Sequence, residues 1–246
     1  AGTSHNFGTN FAEAYGIQFQ NKEGKLTYAE ETSWGVSTRL IGAIIMTHGD
    51  ERGLRLPPRV APIQAVILPI AAHKPGVMEA CEKLLEELKA ADIRVKLDDR
   101  DTVSAGYKFN DWEMKGVPLR LELGGRDIEN GVVSFARRDT GEKGTIAIDS
   151  LVPGIRMLLD DISEKMYAKA CEVQKSRIQD IDSVENIPED KILRLGWCGC
   201  EECGHKFEDT YGFKILGRPY VPEPYSGKCI ICGKPVDKAA YAAHTM

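Results

Sequence analysis

A chain of 246 residues has room for two ordinary domains, or for one domain with an appendage. Its 42% hydrophobic and 28% charged residues are the balance of a soluble globular protein, and a formal net charge of −5 excludes a global attraction to nucleic acid or acidic membrane. Contact with nucleic acid therefore needs a local basic patch. No apolar run approaches the ~20 residues of a membrane helix, so no membrane partner is expected. The opening AGTSHNFGTN has neither the charged nor the apolar region of a signal peptide. It reads as a functional loop without an initiator Met, which suits a fragment or a cleaved product.

In chain order, IQFQ (17–20) and LTYAEE (26–31) suggest two strands joined by the turn NKEGK. Between 37 and 46 the apolar residues Leu40, Ile41, Ile44 and Ile45 follow helical spacing. Two strands and one helix make a thin core, so this segment is expected to be completed by further sequence. Pro57, Pro58 and Pro62 form a stiff connector. QAVILPI (64–70) is a continuous apolar run, the pattern of a strand buried on both faces. Residues 76–91 predict an amphipathic helix with Val77, Cys81, Leu84 and Leu88 on one side. Strands are expected at 93–99, 117–125, 131–138 and 144–149, a helix at 105–116, and a long amphipathic helix at 151–181. This order predicts an α/β domain with a mixed sheet.

Five of the seven cysteines crowd into residues 198–232. Without a secretory signal, that points to a metal site in a reducing compartment. Cys200-Glu-Glu-Cys203-Gly and Cys229-Ile-Ile-Cys232-Gly share one C-x2-C-G pattern, and two such pairs make a four-thiolate site suited to Zn²⁺. Local geometry favours Cys200 with Cys203, and pairing of Cys198 with Cys203 is also feasible. His205 and His244 are not expected as ligands, since four thiolates complete the shell. The tail is expected to bury little core of its own and to depend on the cation. Cys81 and Cys171, isolated in helical patterns, are expected in cores.

The stretches AGTSHNFGTNFAEAYGIQFQ, TSWGVSTRLIGAIIMTHGDERGLRLPPRVAP and KGVPLRLELGGRDIENGVVSFARRD resemble prolyl-tRNA synthetase in its archaeal and eukaryotic-type form, collinearly from Ala1 to the cysteine tail. The resemblance implies three parts. Residues 1–62 would be the end of a class II antiparallel-sheet catalytic domain, carrying the third signature motif but not the first two. Residues 63–181 would be a mixed-sheet α/β anticodon-binding domain, and 182–246 a small zinc-binding domain.

The resemblance also assigns roles. Arg39 would contact the nucleotide phosphates and be the catalytic group, with Thr3 and Ser37 also at ATP. His5, Ser33 and Trp34 would line a proline pocket, where an aromatic face suits an apolar imino-acid ring. Glu113, Lys115, Arg120 and Arg126 would read splayed anticodon bases. Arg137, Arg138 and Lys143 would meet phosphates. For the metal the family's C-x4-C and C-x2-C spacing selects Cys198, Cys203, Cys229 and Cys232, with Cys200 as the alternate to Cys198. The implied activity is ligation of L-proline to tRNA(Pro) with ATP and Mg²⁺, in a cytoplasmic homodimer joined through the catalytic domain. A non-catalytic tRNA-binding module is the alternative, and a zinc-ribbon nucleic-acid binder is a third reading that the acidic charge disfavours. The ending AAYAAHTM departs from relatives that end in tyrosine.

Overall fold

The computed structural model describes residues 2–244, so the C-terminal departure, at Thr245 and Met246, lies outside the described residues. The chain divides into two compact units, Ala1–Met166 and Tyr167–Met246.

The first unit begins with β1 (Gly2–Gly8), α1 (Asn10–Tyr15), β2 (Gln18–Gln20), β3 (Leu26–Tyr28), β4 (Glu31–Val36) and α2 (Arg39–His48). β2 and β3 form the expected hairpin, closed by Asn21, whose Oδ1 accepts from the Glu23 and Lys25 amides. β1 and β4 pair antiparallel, a ladder the sequence reading did not single out. Their small polar residues and glycines carry little strand preference, and the pairing itself supplies the order. This segment buries little. Trp34 is 80% exposed, and Val36, Ile41 and Met46 are exposed too.

There follow β5 (Ala65–Pro69), α3 (Val77–Ala90), β6 (Val95–Leu97), α4 (Ala105–Met114), β7 (Leu119–Leu123), α5 (Gly125–Glu129), β8 (Val132–Arg137), β9 (Lys143–Ala147) and α6 (Leu151–Arg177). The strand order is β6-β5-β7-β8-β9. β5 runs parallel to β6 and β7, whereas β8 and β9 are antiparallel, so the sheet is mixed, as expected. β5 is buried at every residue because it is covered on both faces. Ala65 and Ile67 pack with α3 and α6 through Val77, Leu84, Leu88, Ile155 and Ile162. Val66 and Leu68 pack on Trp112 of α4. Along β7 Leu119, Leu121 and Leu123 join the larger core, which turns Arg120 and Glu122 toward the α4 face.

One seam ties the segment after α2 to this sheet. Leu54 and Leu56 donate their amides to the carbonyls of Met114 and Gly116 at 3.0 and 3.2 Å. Buried Arg138 grips Asp50 with two hydrogen bonds, 2.6 and 2.9 Å, and donates to the Glu113 carbonyl at 2.8 Å. Gly53 has φ +118°, and a Cβ there would stand 2.6 Å from the Met114 oxygen. Only glycine fits this turn.

The second unit adds β10 (Ile178–Asp180), β11 (Ile192–Gly196), α7 (Glu201–Tyr211), β12 (Lys214–Gly217), β13 (Pro224–Lys228) and β14 (Pro235–Ala243). The expected helix to 181 stops at Arg177, because 178–180 pair in parallel with β11. β14 lies between β11 and β12 and also carries β13. The expectation of little core is corrected: Leu193, Leu195, Phe207, Phe213, Ala240 and Ala242 form a buried apolar cluster. No helix among the described residues is long and apolar enough to cross a membrane.

Gly53→Ala is expected to destabilise the first unit by ~1–3 kcal/mol, through positive-φ strain and the clash with Met114. Denaturant unfolding checks the loss, and hydrogen exchange should show the Leu54 and Leu56 amides losing protection first.

Candidate functional site

The α4 face of the mixed sheet carries the richest chemistry. Ser104 caps α4 by accepting from the Tyr107 amide, and the helix then interleaves aromatic and polar residues in AGYKFNDWEM. Trp112 packs inward on β5, while cations gather over its ring: Lys115 at 4.7 Å, Lys96 at 5.5 Å and Arg100 at 6.0 Å. Arg120 lies 4.1 Å over the Phe109 ring and donates to Glu122 at 2.9 Å. In a chain of net negative charge, cations and aromatic rings gather together on this face.

A hollow of about 250 Å³ opens here, lined by Arg52, Phe109, Trp112, Glu113, Arg120 and Lys143 among others. A second, of about 590 Å³, shares Arg52, Asn110 and Glu113 and adds Tyr107, Asp111 and Met114. Beneath them Asp98, 2% exposed, anchors the face. It accepts from Arg100 at 2.6 and 2.8 Å and from the Trp112 indole at 2.7 Å, and its carbonyl accepts from Lys108. Burial works to raise the Asp98 carboxyl, but the bonds from Arg100 and Trp112 outweigh it and hold the group well below the usual carboxylate range.

Of the residues expected to read bases, Glu113 and Arg120 line one hollow together. Lys115, at the α4 C-terminus, is bonded to Asp111 at 2.9 Å. Arg126 is exposed on α5, whose Ile128 packs on the opposite core, and it lines neither hollow. The expected phosphate contacts of Arg137 and Arg138 are corrected. Both are buried, Arg137 against Asp139 and Asp161 and Arg138 against Asp50, so neither guanidinium is free for a phosphate. Lys143 remains exposed at the rim. Arg52, Tyr107, Phe109 and Asn110 were not singled out from the sequence. The interleaving of aromatics in α4 was the available signal for three of them.

In the β1–β4 ladder His5 faces Ser33 and Thr3 faces Gly35. Strand alternation therefore puts Thr3, His5 and Ser33 on one face and Trp34 on the other. Arg39 begins α2 and is exposed, with its amide bonded to the Ser37 hydroxyl at 3.3 Å. Both polar groups thus sit at the electropositive end of a helix.

In the second unit the sulfurs of Cys198, Cys203, Cys229 and Cys232 all lie within 4.8 Å of one another. A tetrahedral thiolate shell at ~2.3 Å from zinc spaces its sulfurs ~3.8 Å apart, so this donor set fits the ion. Cys200 is exposed at the N-cap of α7 and stands outside the group. The two C-x2-C-G stretches fold differently. Gly233, at φ +71°, closes a turn in which its amide meets the Cys229 carbonyl at 2.9 Å. Gly204 instead lies inside α7, which Glu201 and Glu202 start favourably with acidic groups in the first turn. Burial pushes the Cys229 thiol up, but the amides of Cys232, Ile231 and Cys198 bring it down to about 6.

A family model described as an anticodon binding domain matches residues 64–174, and one described as prolyl-tRNA synthetase, C-terminal, matches 182–245. The proline–tRNA ligase of Acetoanaerobium sticklandii is 46% identical over 99% of the chain and 52% of its own length. The chain belongs to the prolyl-tRNA synthetase family. Proline–tRNA ligase 2 of Clostridioides difficile is 45% identical over the same shares, and that of Thermococcus kodakarensis 43% over 99% and 53%. The chain thus spans about half the length of the curated relatives it matches. Within this prolyl-tRNA synthetase portion, the two hollows fall in the anticodon-binding match except for Arg52, and the four clustered cysteines fall in the C-terminal match.

Because the folded Asp98 carboxyl titrates below its unfolded value of ~3.9, its stabilisation is complete above about pH 5 and is lost as pH falls through that value toward the folded one. The Trp112 indole N–H resonance should hold its folded shift through about pH 4 and be lost only as the pH falls further toward the folded value. In Asp98→Asn the acid dependence should flatten; an unchanged profile would remove Asp98 from this role.

Proposed function

We propose that the chain is the anticodon-reading and zinc-bearing half of a cytoplasmic proline–tRNA ligase. The whole protein would condense L-proline with ATP, taken as its Mg²⁺ complex, and esterify the product to tRNA(Pro). The observation that carries this reading is the hollow on the α4 face. It combines exposed cations, aromatic rings and a carboxylate, and apart from Arg52 it lies within the anticodon-binding match. Unstacked bases are read by such a set: rings for stacking, Glu113 as acceptor, Arg120 and Lys115 as donors. Arg126, on α5, would meet the RNA outside the hollow.

At the other end of the first unit Arg39 and Ser37, with Thr3, would hold the nucleotide. When the proline carboxylate attacks the α-phosphate and pyrophosphate leaves, negative charge grows on the phosphoryl oxygens. A guanidinium rooted at a helix N-terminus stabilises that charge and keeps the phosphates in line. His5 and Ser33, on one face of the ladder, would form a wall of the proline site. Trp34, on the other face, would reach proline only if sequence outside this chain brings the pocket around it. The exposed apolar residues of β4 and α2 support such a covering, and a dimer through the same region fits them.

A second reading for the chain on its own rests on the anticodon-binding match over 64–174: it binds RNA without activating proline. Pyrophosphate exchange separates the two, and its appearance in the isolated chain would defeat the module reading.

In the full-length enzyme Arg39→Ala is expected to cut proline-dependent pyrophosphate exchange by at least ~100-fold, with tRNA affinity unchanged. Charge reversal at Lys115 or Arg120 should do the opposite, raising KM for tRNA and sparing exchange. Normal aminoacylation in both charge variants would move the RNA surface elsewhere.

Zn²⁺ would be held by Cys198, Cys203, Cys229 and Cys232. With every position filled by protein, it would supply stability to the tail and no chemistry to the ligation. Elemental analysis should find one zinc per chain. Cys198→Ser should lose it and Cys200→Ser keep it; the reverse result would restore Cys200 as the ligand.

A further inference from the structure

Arg52 is the one residue lining the two α4-face hollows that comes from outside the anticodon-binding match. Its backbone sits in a hydrogen-bonded turn. The Arg52 amide donates to Asp50 Oδ1 at 2.9 Å, Asp50 and Gly53 exchange backbone hydrogen bonds at 3.0 Å, and Asp50 is gripped by buried Arg138. From this clamped turn the side chain, 73% exposed, reaches Glu113 and bonds Oε1 through Nη1 at 3.0 Å.

An exposed ion pair of this kind adds little stability. Its geometric effect is larger. Arg52 engages one oxygen of Glu113 and leaves Oε2 with no protein hydrogen-bond partner among the described residues. Beside it Arg120 treats Glu122 the same way, through Oε1. Each arrangement offers an acceptor flanked by guanidinium donors. That pattern complements the Watson–Crick edge of guanine, which presents two adjacent N–H donors, at N1 and N2, next to the O6 acceptor. Adenine presents an acceptor at N1 and would meet the carboxylate with like polarity. Proline codons begin with two cytosines, so their anticodons carry guanines.

We infer that Arg52 is a positioning residue for guanine selection: it orients Glu113 so that the carboxylate accepts from the N–H edge of one anticodon guanine. This rests on the anticodon-reading role of the α4 face. It adds that the reading site is composite, with one wall supplied by the turn that follows α2.

The test uses the 246-residue chain and fluorescent anticodon stem-loop hairpins of proline tRNA sequence, with each loop guanine replaced singly by inosine, which lacks the 2-amino group. At fixed salt the wild-type chain should bind the guanine hairpin roughly tenfold tighter than the inosine hairpin at one position. Arg52→Ala should bring that ratio close to one, Arg52→Lys should recover part of it, and Glu113→Gln should abolish it. A full guanine-to-inosine ratio in Arg52→Ala, with the ratio lost in Glu113→Gln, overturns the role of Arg52 and leaves the anticodon reading standing. A wild-type chain that shows no ratio, or a Glu113→Gln variant that keeps it, overturns both.

Discussion

The grip of Arg138 on Asp50 is the interaction from which the rest of the first unit takes its order. A buried guanidinium without partners would be costly, and Arg138 has three: both oxygens of Asp50 and the Glu113 carbonyl. The pair therefore has to form if Arg138 is to be buried, and forming it pulls the turn after α2 against the end of α4. The Asp50 carboxyl is held well below the usual range, above all by its bonds from Arg138, so the pair stays charged through the neutral range. Two backbone bonds and a glycine that tolerates no side chain then set the register. The segment that carries Arg39 and the sheet that carries Arg120 share this one anchor.

The same logic of satisfied charge runs through the rest of the sheet. Arg137 is surrounded by Asp139, Asp161 and the more distant Glu142, and Asp98 by Arg100, Trp112 and Lys108. Charges of this type are spent on architecture. Arg52 and Arg120, which line the hollows, and Lys115 over the Trp112 ring are each held by one carboxylate partner or more at the surface of this face. The sheet thus separates cations committed to buried ion pairs from those that stay near the surface of the α4 face.

Much of the mixed sheet was legible from local pattern. The apolar run of β5, the spacing of Val77, Cys81, Leu84 and Leu88 in α3, and the alternation of β7 each state their burial in a few residues. What escaped depends on partners far along the chain. Arg137 and Arg138 read as surface groups because Asp161 is 24 residues away and Asp50 88 away. β1 reads as a loop because it becomes a strand only against β4. Local spacing favours Cys200 over Cys198, and the structure reverses that choice through α7: once the helix starts at Glu201, Cys200 is its cap and Cys198 lies with the other sulfurs.

β14 has a consequence for how the second unit is made. It bonds β11, β12 and β13, and all three precede it in the chain. On a ribosome moving from N- to C-terminus, those three strands emerge with no common neighbour to pair against. The sheet can be assembled only when the last strand is released, by long-range pairing that is intrinsically slow. Until then the backbone edges that β14 will cover stand open, and the interval before its arrival is when the nascent tail is most exposed to mispairing with another chain.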